Sequence, residues 1–178
     1  MNNIKYYVLT QKDINLELFS NFDRYQEVTK CWRKENNKWV VKDILFTEQW
    51  DHDNYKSLVK ELKNTINTGG TVFGVFENNI LLGFASLENE FFGSKKEYLQ
   101  LSALHISNEY RGRGIGKKLF ELICKKANEM GAKKLYISAH SSKETIAFYK
   151  TIGCKEAVEY NKELVYKEPY DCQLEYLL

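Results

Sequence analysis

The sequence predicts a single mixed α/β domain, and three observations predict it. Two asparagine pairs, Asn36-Asn37 and Asn78-Asn79, sit between apolar and aromatic runs and mark antiparallel hairpins. A strand, a glycine-rich turn, a helix and a second strand follow one another in the middle of the chain. No linker, internal repeat or low-complexity stretch divides the 178 residues, a length suited to one core. One mixed sheet, with helices on both faces, is the expected outcome.

The elements follow in order. "IKYYVLT" is a strand by its β-branched and aromatic residues. "KDINLELFSNF" reads as a helix, because Ile14, Leu18 and Phe22 recur at helical spacing. "VTKCWRKENNKWVVKDILF" reads as a hairpin, with Trp32 and Trp39-Val40-Val41 flanking the polar turn. "WDHDNYKSLVKELKNTINTGG" is a helix. Asp51 or Asp53 can cap it, Leu58, Leu62 and Ile66 form its stripe, and Gly69-Gly70 ends it. "TVFGVFENNILLGFASLE" is a second hairpin, and "EYLQLSALHIS" is a long strand running into the glycine loop. The next helix carries Ile115, Leu119, Leu122, Ile123, Ala127 and Met130 on one side. "KKLYISAH" is a strand. "SSKETIAFYKTIG" is a shorter helix, with Ser141 and Glu144 at capping-box spacing and Gly153 past its end. The remainder, "CKEAVEYNKELVYKEPYDCQLEYLL", is expected to supply final strands, with Pro169 in their connection.

Bulk properties exclude several functions. Lys and Arg number 26 against 24 Asp and Glu, a net charge of +2, so a nucleic-acid partner is not expected. The four cysteines (31, 124, 154, 172) show no C-x-x-C pair and form no zinc spacing with the three histidines, so no metal is expected. The start has no apolar signal region and no run is long enough to span a bilayer. A soluble, cytoplasmic protein without a membrane partner is the expectation.

Arg111-Gly112-Arg113-Gly114-Ile115-Gly116-Lys117 stands between the long strand and its helix. Amides in a first helical turn lack partners, and the helix dipole adds partial positive charge. Glycines let a ligand approach those amides, and Arg111, Arg113 and Lys117 add formal charge. A diphosphate suits such a place. A P-loop would need a glycine where Arg111 stands and Ser or Thr where Lys118 stands. A dinucleotide loop would need a glycine at Lys117.

Arg111-x-x-Gly114-x-Gly116 resembles the [RQ]-x-x-G-x-[GA] signature of the GNAT superfamily, the GNAT-fold N-acetyltransferases. "LSALHISNEYRG" and "ETIAFYKTIGC" are similar to that family's central strand and later helix. The resemblance implies a single N-acetyltransferase domain over residues 1–178, its mostly antiparallel sheet splayed at the central strand. Residues 1–70 would form the variable acceptor side, 71–154 the acetyl-CoA core and 155–178 the last strands. It implies acetyl-CoA as cosubstrate, with its pyrophosphate on the amides of Arg111 to Lys117. The pantetheine arm would pair with the backbone of Leu104, His105 and Ile106. A primary amine would attack the thioester directly. Tyr149 matches the family's tyrosine and would protonate the leaving thiolate, a phenol near ~10 acting on a thiol near ~8.5. On its own pattern, Tyr149 with Phe148 equally reads as a core aromatic of an amphipathic helix.

The pattern departs from the family twice. Ser142 replaces a common asparagine, leaving its coenzyme contact open. Gln100 replaces a glutamate base found in some protein acetylases. Glu88, Glu90, Glu97 and His105 are the remaining candidate bases, or water alone. His105 alternates to the face opposite Leu104 and Ile106 and reads as a packed histidine. Tyr25, Trp32, Trp39, Trp50, Asp51 and Asp53 suggest a small cationic acceptor, such as a polyamine or an aminoglycoside-like or streptothricin-like amine. Protein amines, a non-catalytic coenzyme-binding module and a homodimer stay open.

Overall fold

A computed structural model of the chain describes residues 3–178. Its strands are β1 (Lys5–Val8), β2 (Gln26–Glu35), β3 (Lys38–Glu48), β4 (Thr71–Glu77), β5 (Ile80–Leu87), β6 (Tyr98–Ile106), β7 (Lys134–Ala139), β8 (Lys155–Glu156) and β9 (Cys172–Leu177). The α-helices are α1 (His52–Asn67), α2 (Ile115–Glu129), α3 (Lys143–Thr151) and α4 (Lys162–Lys167). Among the described residues, seven strands join in the order β1-β4-β5-β6-β7-β9-β8, while β2 and β3 form a separate two-stranded ribbon. β6 and β7 pair in parallel; the other pairings are antiparallel.

Both asparagine pairs do what the sequence predicts. Asn36, Asn37, Asn78 and Asn79 all have φ between 49° and 64°, as a two-residue hairpin turn requires. Asp51, rather than Asp53, caps α1: its carboxylate accepts from the Asn54 amide at 2.9 Å, and the Asn54 side chain accepts from the Asp51 amide at 2.9 Å. Alternation along β4 and β5 then divides the core. Val72, Leu81 and Phe84 face α1 and the first turns, while Phe73, Val75, Leu82 and Ala85 join α2 on the other face.

Three expectations need correction. Residues 12–22 are not an α-helix but tight turns with one 3-10 turn at Glu17–Phe19. The Asp13 carboxylate accepts from the Thr10 amide and hydroxyl, and Asn15 Oδ1 accepts from the Leu18 amide. Such local bonds compete with a helical ladder, and Ile14, Phe19 and Phe22 still reach the core. Ser142, not Ser141, caps α3, its Oγ accepting from the Thr145 amide at 3.2 Å. Ser141 Oγ instead accepts from Arg33. The C-terminal stretch contains α4 as well as strands, started by Asn161, whose side chain accepts from the Glu163 and Leu164 amides.

Glu175 is buried in β9, which is rare for a carboxylate and marks a structural network. It accepts from the Tyr98 hydroxyl at 2.5 Å and the Val158 amide at 3.2 Å, with Lys134 Nζ at 3.6 Å. Burial pushes its carboxyl up, but Tyr98, Val158, Lys134 and Lys155 outweigh burial and hold it below the usual value. Its stabilising effect is therefore present above the ordinary carboxylate range and lost as pH falls through the lowered value. Glu175→Ala would leave the Tyr98 hydroxyl buried without an acceptor. A loss of roughly 3 kcal/mol in urea unfolding is expected at neutral pH, shrinking in acid.

Candidate active site

β6 and β7 stay paired only over Tyr98–Gln100 with Lys134–Tyr136. Beyond Gln100 they part. The β5–β6 register shifts at the same level, with Ser86 opposite Ala103 and Leu87 opposite Leu101, so Ser102 is the extra residue of a bulge. A bulge re-aims its strand, and here it stands where the separation begins. The gap is a cleft of about 760 Å³, lined by the separated parts of β6 and β7, the glycine loop, α3 and the segment 24–27.

The free edge of β6 supplies backbone groups. The Ser107 amide donates to Leu82 O, which assigns His105 and Ser107 to the β5 ladder. Leu104 and Ile106 therefore turn their N–H and C=O groups toward the cleft. Their side chains join the α2 core, while His105 packs on the other face, with ring centroids 4.9 Å from Trp50 and 5.5 Å from Phe84. Burial, with help from Arg24, Arg111 and His140, pushes the His105 imidazole down to about 3, so it is neutral and a poor base near pH 7. The packed reading of this histidine fits that position.

The glycine loop wraps the cleft mouth. Gly112 and Gly114 have φ of +75° and +79°, a backbone that side chains rarely adopt, and a Cβ at either would meet nothing within 4 Å. The first bond of α2 runs from the Lys118 amide to Gly114 O at 3.2 Å. The amides of Ile115, Gly116 and Lys117 precede it and have no partner within the helix. An anion can therefore reach open amides at a helix start, beside Lys117. The two arginines behave differently. Arg111 lines the cleft but folds back, its Nε donating to Ile106 O at 3.1 Å and Nη2 to Arg24 O at 3.3 Å. Arg113 points the other way, stacked over Tyr110 with Nη2 3.7 Å from Glu77, and is not part of the lining.

Tyr149 is buried and lines the cleft from α3. Burial first, then Cys154 and Asp171, raises its phenol, so it stays protonated at neutral pH. Ser142 is fully buried beneath the lining: it donates to Thr145 Oγ1 at 2.8 Å and accepts from the Gln26 side chain at 3.3 Å. Its hydroxyl is thus occupied by the cap and β2. Glu88 accepts from Thr65 Oγ1 at 2.8 Å and Ser102 Oγ at 2.5 Å, and Glu90 is exposed beyond β5; neither is in the cleft lining. Of the aromatic and acidic residues expected around an acceptor, only Tyr25 lines the cleft. Trp39 donates to Glu156, Trp32 lies under Lys150, and Asp51 is the α1 cap.

Three polar groups at the cleft escape sequence reasoning. Ser138 lines it from β7; its Oγ is 3.0 Å from Asp171 Oδ2 and accepts from Gln173 Nε2 at 3.1 Å. Burial pushes the Asp171 carboxyl up to about 6, Ser138 lowers it, and Glu168 adds to the rise. His140, at the end of β7, is held by Glu48 at 3.7 Å and accepts the Ser142 amide on Nδ1 at 3.2 Å. The only advance signal was position: strand ends facing a parallel-sheet gap are where open sheets bind ligands. Arg24, the third, is taken up below.

A split sheet with backbone groups on its free edge, facing open amides at a helix start, defines a group-transfer domain that takes an extended, phosphate-bearing cosubstrate. The chain belongs to the acetyltransferase (GNAT) family, whose description matches residues 24–154, well over half of the chain. An uncharacterised N-acetyltransferase of Schizosaccharomyces pombe is 33% identical over 75 residues, covering 42% of this chain and 51% of that protein. The chain thus matches about half the length of this relative. Among solved structures, nourseothricin acetyltransferase superposes with a TM-score of 0.65 at 16% identity, over 97% of this chain and 95% of that one. The PaiA N-acetyltransferase of Thermoplasma acidophilum, in complex with coenzyme A, gives 0.61 at 15% identity over 99% of both chains. A GNAT family acetyltransferase of Elizabethkingia anophelis with acetyl-CoA bound gives 0.59 at 16% identity over 100% of both. These structures share the fold. Among the described residues no group of His, Cys, Asp and Glu could hold a metal ion, and no helix is long and apolar enough to cross a membrane.

Proposed function

We propose that the chain transfers the acetyl group of acetyl-CoA to a primary amine of a small molecule. The observation that carries this reading is the convergence, in one cleft, of the outward backbone of Leu104 and Ile106 with the open amides of Ile115 to Lys117. The coenzyme supplies an activated thioester carbonyl. The loop amides and Lys117 would hold its diphosphate, and the β6 edge would hold its amide-bearing arm as an added strand. Arg111 would buttress the loop through Ile106 O as well as add charge. A backbone N–H of β6 would steady the developing oxyanion.

Attack forms a C–N bond and breaks the C–S bond; an acceptor that arrives as an ammonium sheds two protons, one before attack and one from the adduct, of which one reaches the sulfur and the other passes through a base to solvent. Tyr149, held protonated, is the donor to sulfur. Glu88 and Asp171 both stand behind the lining, reached through Ser102 and Ser138; burial brings Asp171 up to about 6, near the working pH of a base, so we assign the acceptor of the amine proton to Asp171 acting through Ser138. The carboxylate must be ionised to work. The kcat/KM should therefore rise tenfold per pH unit below about 6 and level off above it. Asp171→Asn should remove that limb and lower kcat about 100-fold. An unaltered profile in Asp171→Asn would return the role to water.

Glu27 and Glu144 line the cleft and suit an incoming ammonium. A polyamine or an aminoglycoside-like or streptothricin-like amine meets that requirement. Calorimetry with coenzyme A, followed by thiol release from acetyl-CoA over a panel of amines, tests the proposal. Absence of coenzyme binding overturns it. Binding without thiol release above hydrolysis would leave a non-catalytic coenzyme-binding module, and acetylation confined to proteins would move the acceptor class.

A further inference from the structure

Arg24 is a buried and incompletely paired charge at the cleft. It is only 7% exposed, yet it lines the cavity. Its Cζ lies 5.3 Å over the Trp50 ring, and its Nη1 donates to Gln26 Oε1 at 3.1 Å. Its Nε is buried with no hydrogen-bond partner. Among the described residues, no carboxylate stands within 4 Å of the guanidinium; Glu48 acts on it only from farther away and is turned to His140. A second guanidinium, Arg111, adds to the positive field, while the neighbouring His105 and His140 imidazoles are pushed down, first by burial, and add no charge near neutrality.

A guanidinium does not shed its proton in a protein, so this charge remains. A buried charge without a partner is strongly unfavourable. The surrounding backbone does not let it withdraw. Asp23 is bound to the end of β6, its N–H donating to Ser107 Oγ at 2.9 Å and its C=O accepting from the Asn108 amide at 2.8 Å, and the Arg24 carbonyl accepts from Arg111. The fold therefore holds an incompletely paired donor fork beside the outward edge of β6.

We propose that the acceptor carries a carboxylate as well as its amine, and that Arg24 binds that carboxylate. This rests on the acetyltransfer reading and narrows its acceptor to an amino carboxylate, an amino acid or a close relative. A carboxylate entering the cleft accepts a charge-assisted bond from a guanidinium and supplies the counter-charge it lacks. Bound in this way, the anion neutralises Arg24 while Glu27 and Glu144 receive the ammonium. A polyamine has no group for Arg24 and would leave it as it is.

Thiol release is measured with acetyl-CoA and the twenty standard amino acids, β-alanine and γ-aminobutyrate. Their methyl esters and 1,5-diaminopentane, the decarboxylated form of lysine, are run beside them. At least one free amino carboxylate should exceed its carboxyl-blocked partner by about 30-fold or more in kcat/KM. Arg24→Gln should abolish that preference through the acceptor KM while leaving the acetyl-CoA KM within about twofold, and Arg24→Lys should restore part of it. Equal use of free and blocked amines by the wild-type protein overturns the inference, whether or not the variants fold. So does an Arg24→Gln effect confined to the acetyl-CoA KM, which would reassign Arg24 to the coenzyme. If coenzyme A binds but no amino carboxylate is acetylated, this inference alone fails. If coenzyme A does not bind, the acetyltransfer reading fails with it.

Discussion

Gly114→Val is expected to weaken coenzyme A binding by about 100-fold in calorimetry. Gly114 is the N-cap of α2, with φ of +79°. A β-branched residue there is strained by about 1–2 kcal/mol, enough to shift the loop and the amides it presents. Its side chain would also project into the open space where a diphosphate would approach. Stability and ligand binding are separable by a control. Gly131, just past α2, has φ of +95° and equally open surroundings but is not part of the cleft. Gly131→Val should cost similar stability and leave coenzyme affinity within about twofold. Equal affinity losses in both variants would mean that the glycines serve folding alone.

Tyr149→Phe is expected to lower kcat about 100-fold with KM nearly unchanged, measured by thiol release at saturating acetyl-CoA. The ring packs 5.1 Å from Phe148 and 6.4 Å from Phe120, centroid to centroid, and the variant keeps that packing. Among the described residues the hydroxyl has no hydrogen-bond partner, so urea unfolding should hardly change. A preserved kcat would assign Tyr149 to the core only.

Much of the fold is legible because local chemistry and tertiary demand agree. The asparagine pairs dictate hairpins through their positive φ, and the Leu58-Leu62 stripe with an Asp51 cap dictates α1. Where local side-chain bonds compete with periodicity, the reading fails, as at Thr10-Asp13 and Asn15-Leu18. Ser141 and Ser142 illustrate a finer limit. Both can cap α3, and only the approach of Arg33 from the β2–β3 ribbon decides that Ser141, itself buried, turns to Arg33 while Ser142 takes the cap.

The site divides along the same line. By itself, the sequence determined the glycine-loop side of the cleft: a strand, a glycine-rich turn and a helix start are contiguous, so their geometry is a matter of local backbone chemistry. It determined the alternation of Leu104, His105 and Ile106 for the same reason. Only the tertiary structure decided what surrounds the rest of the cleft. Asp171 reaches Ser138 across β7 and β9, and Arg24 is bolted to β6 from more than eighty residues upstream. Burial then raises one carboxyl and leaves one guanidinium without a counter-ion. Long-range packing and desolvation produce these properties, and neither is written in any short run of residues.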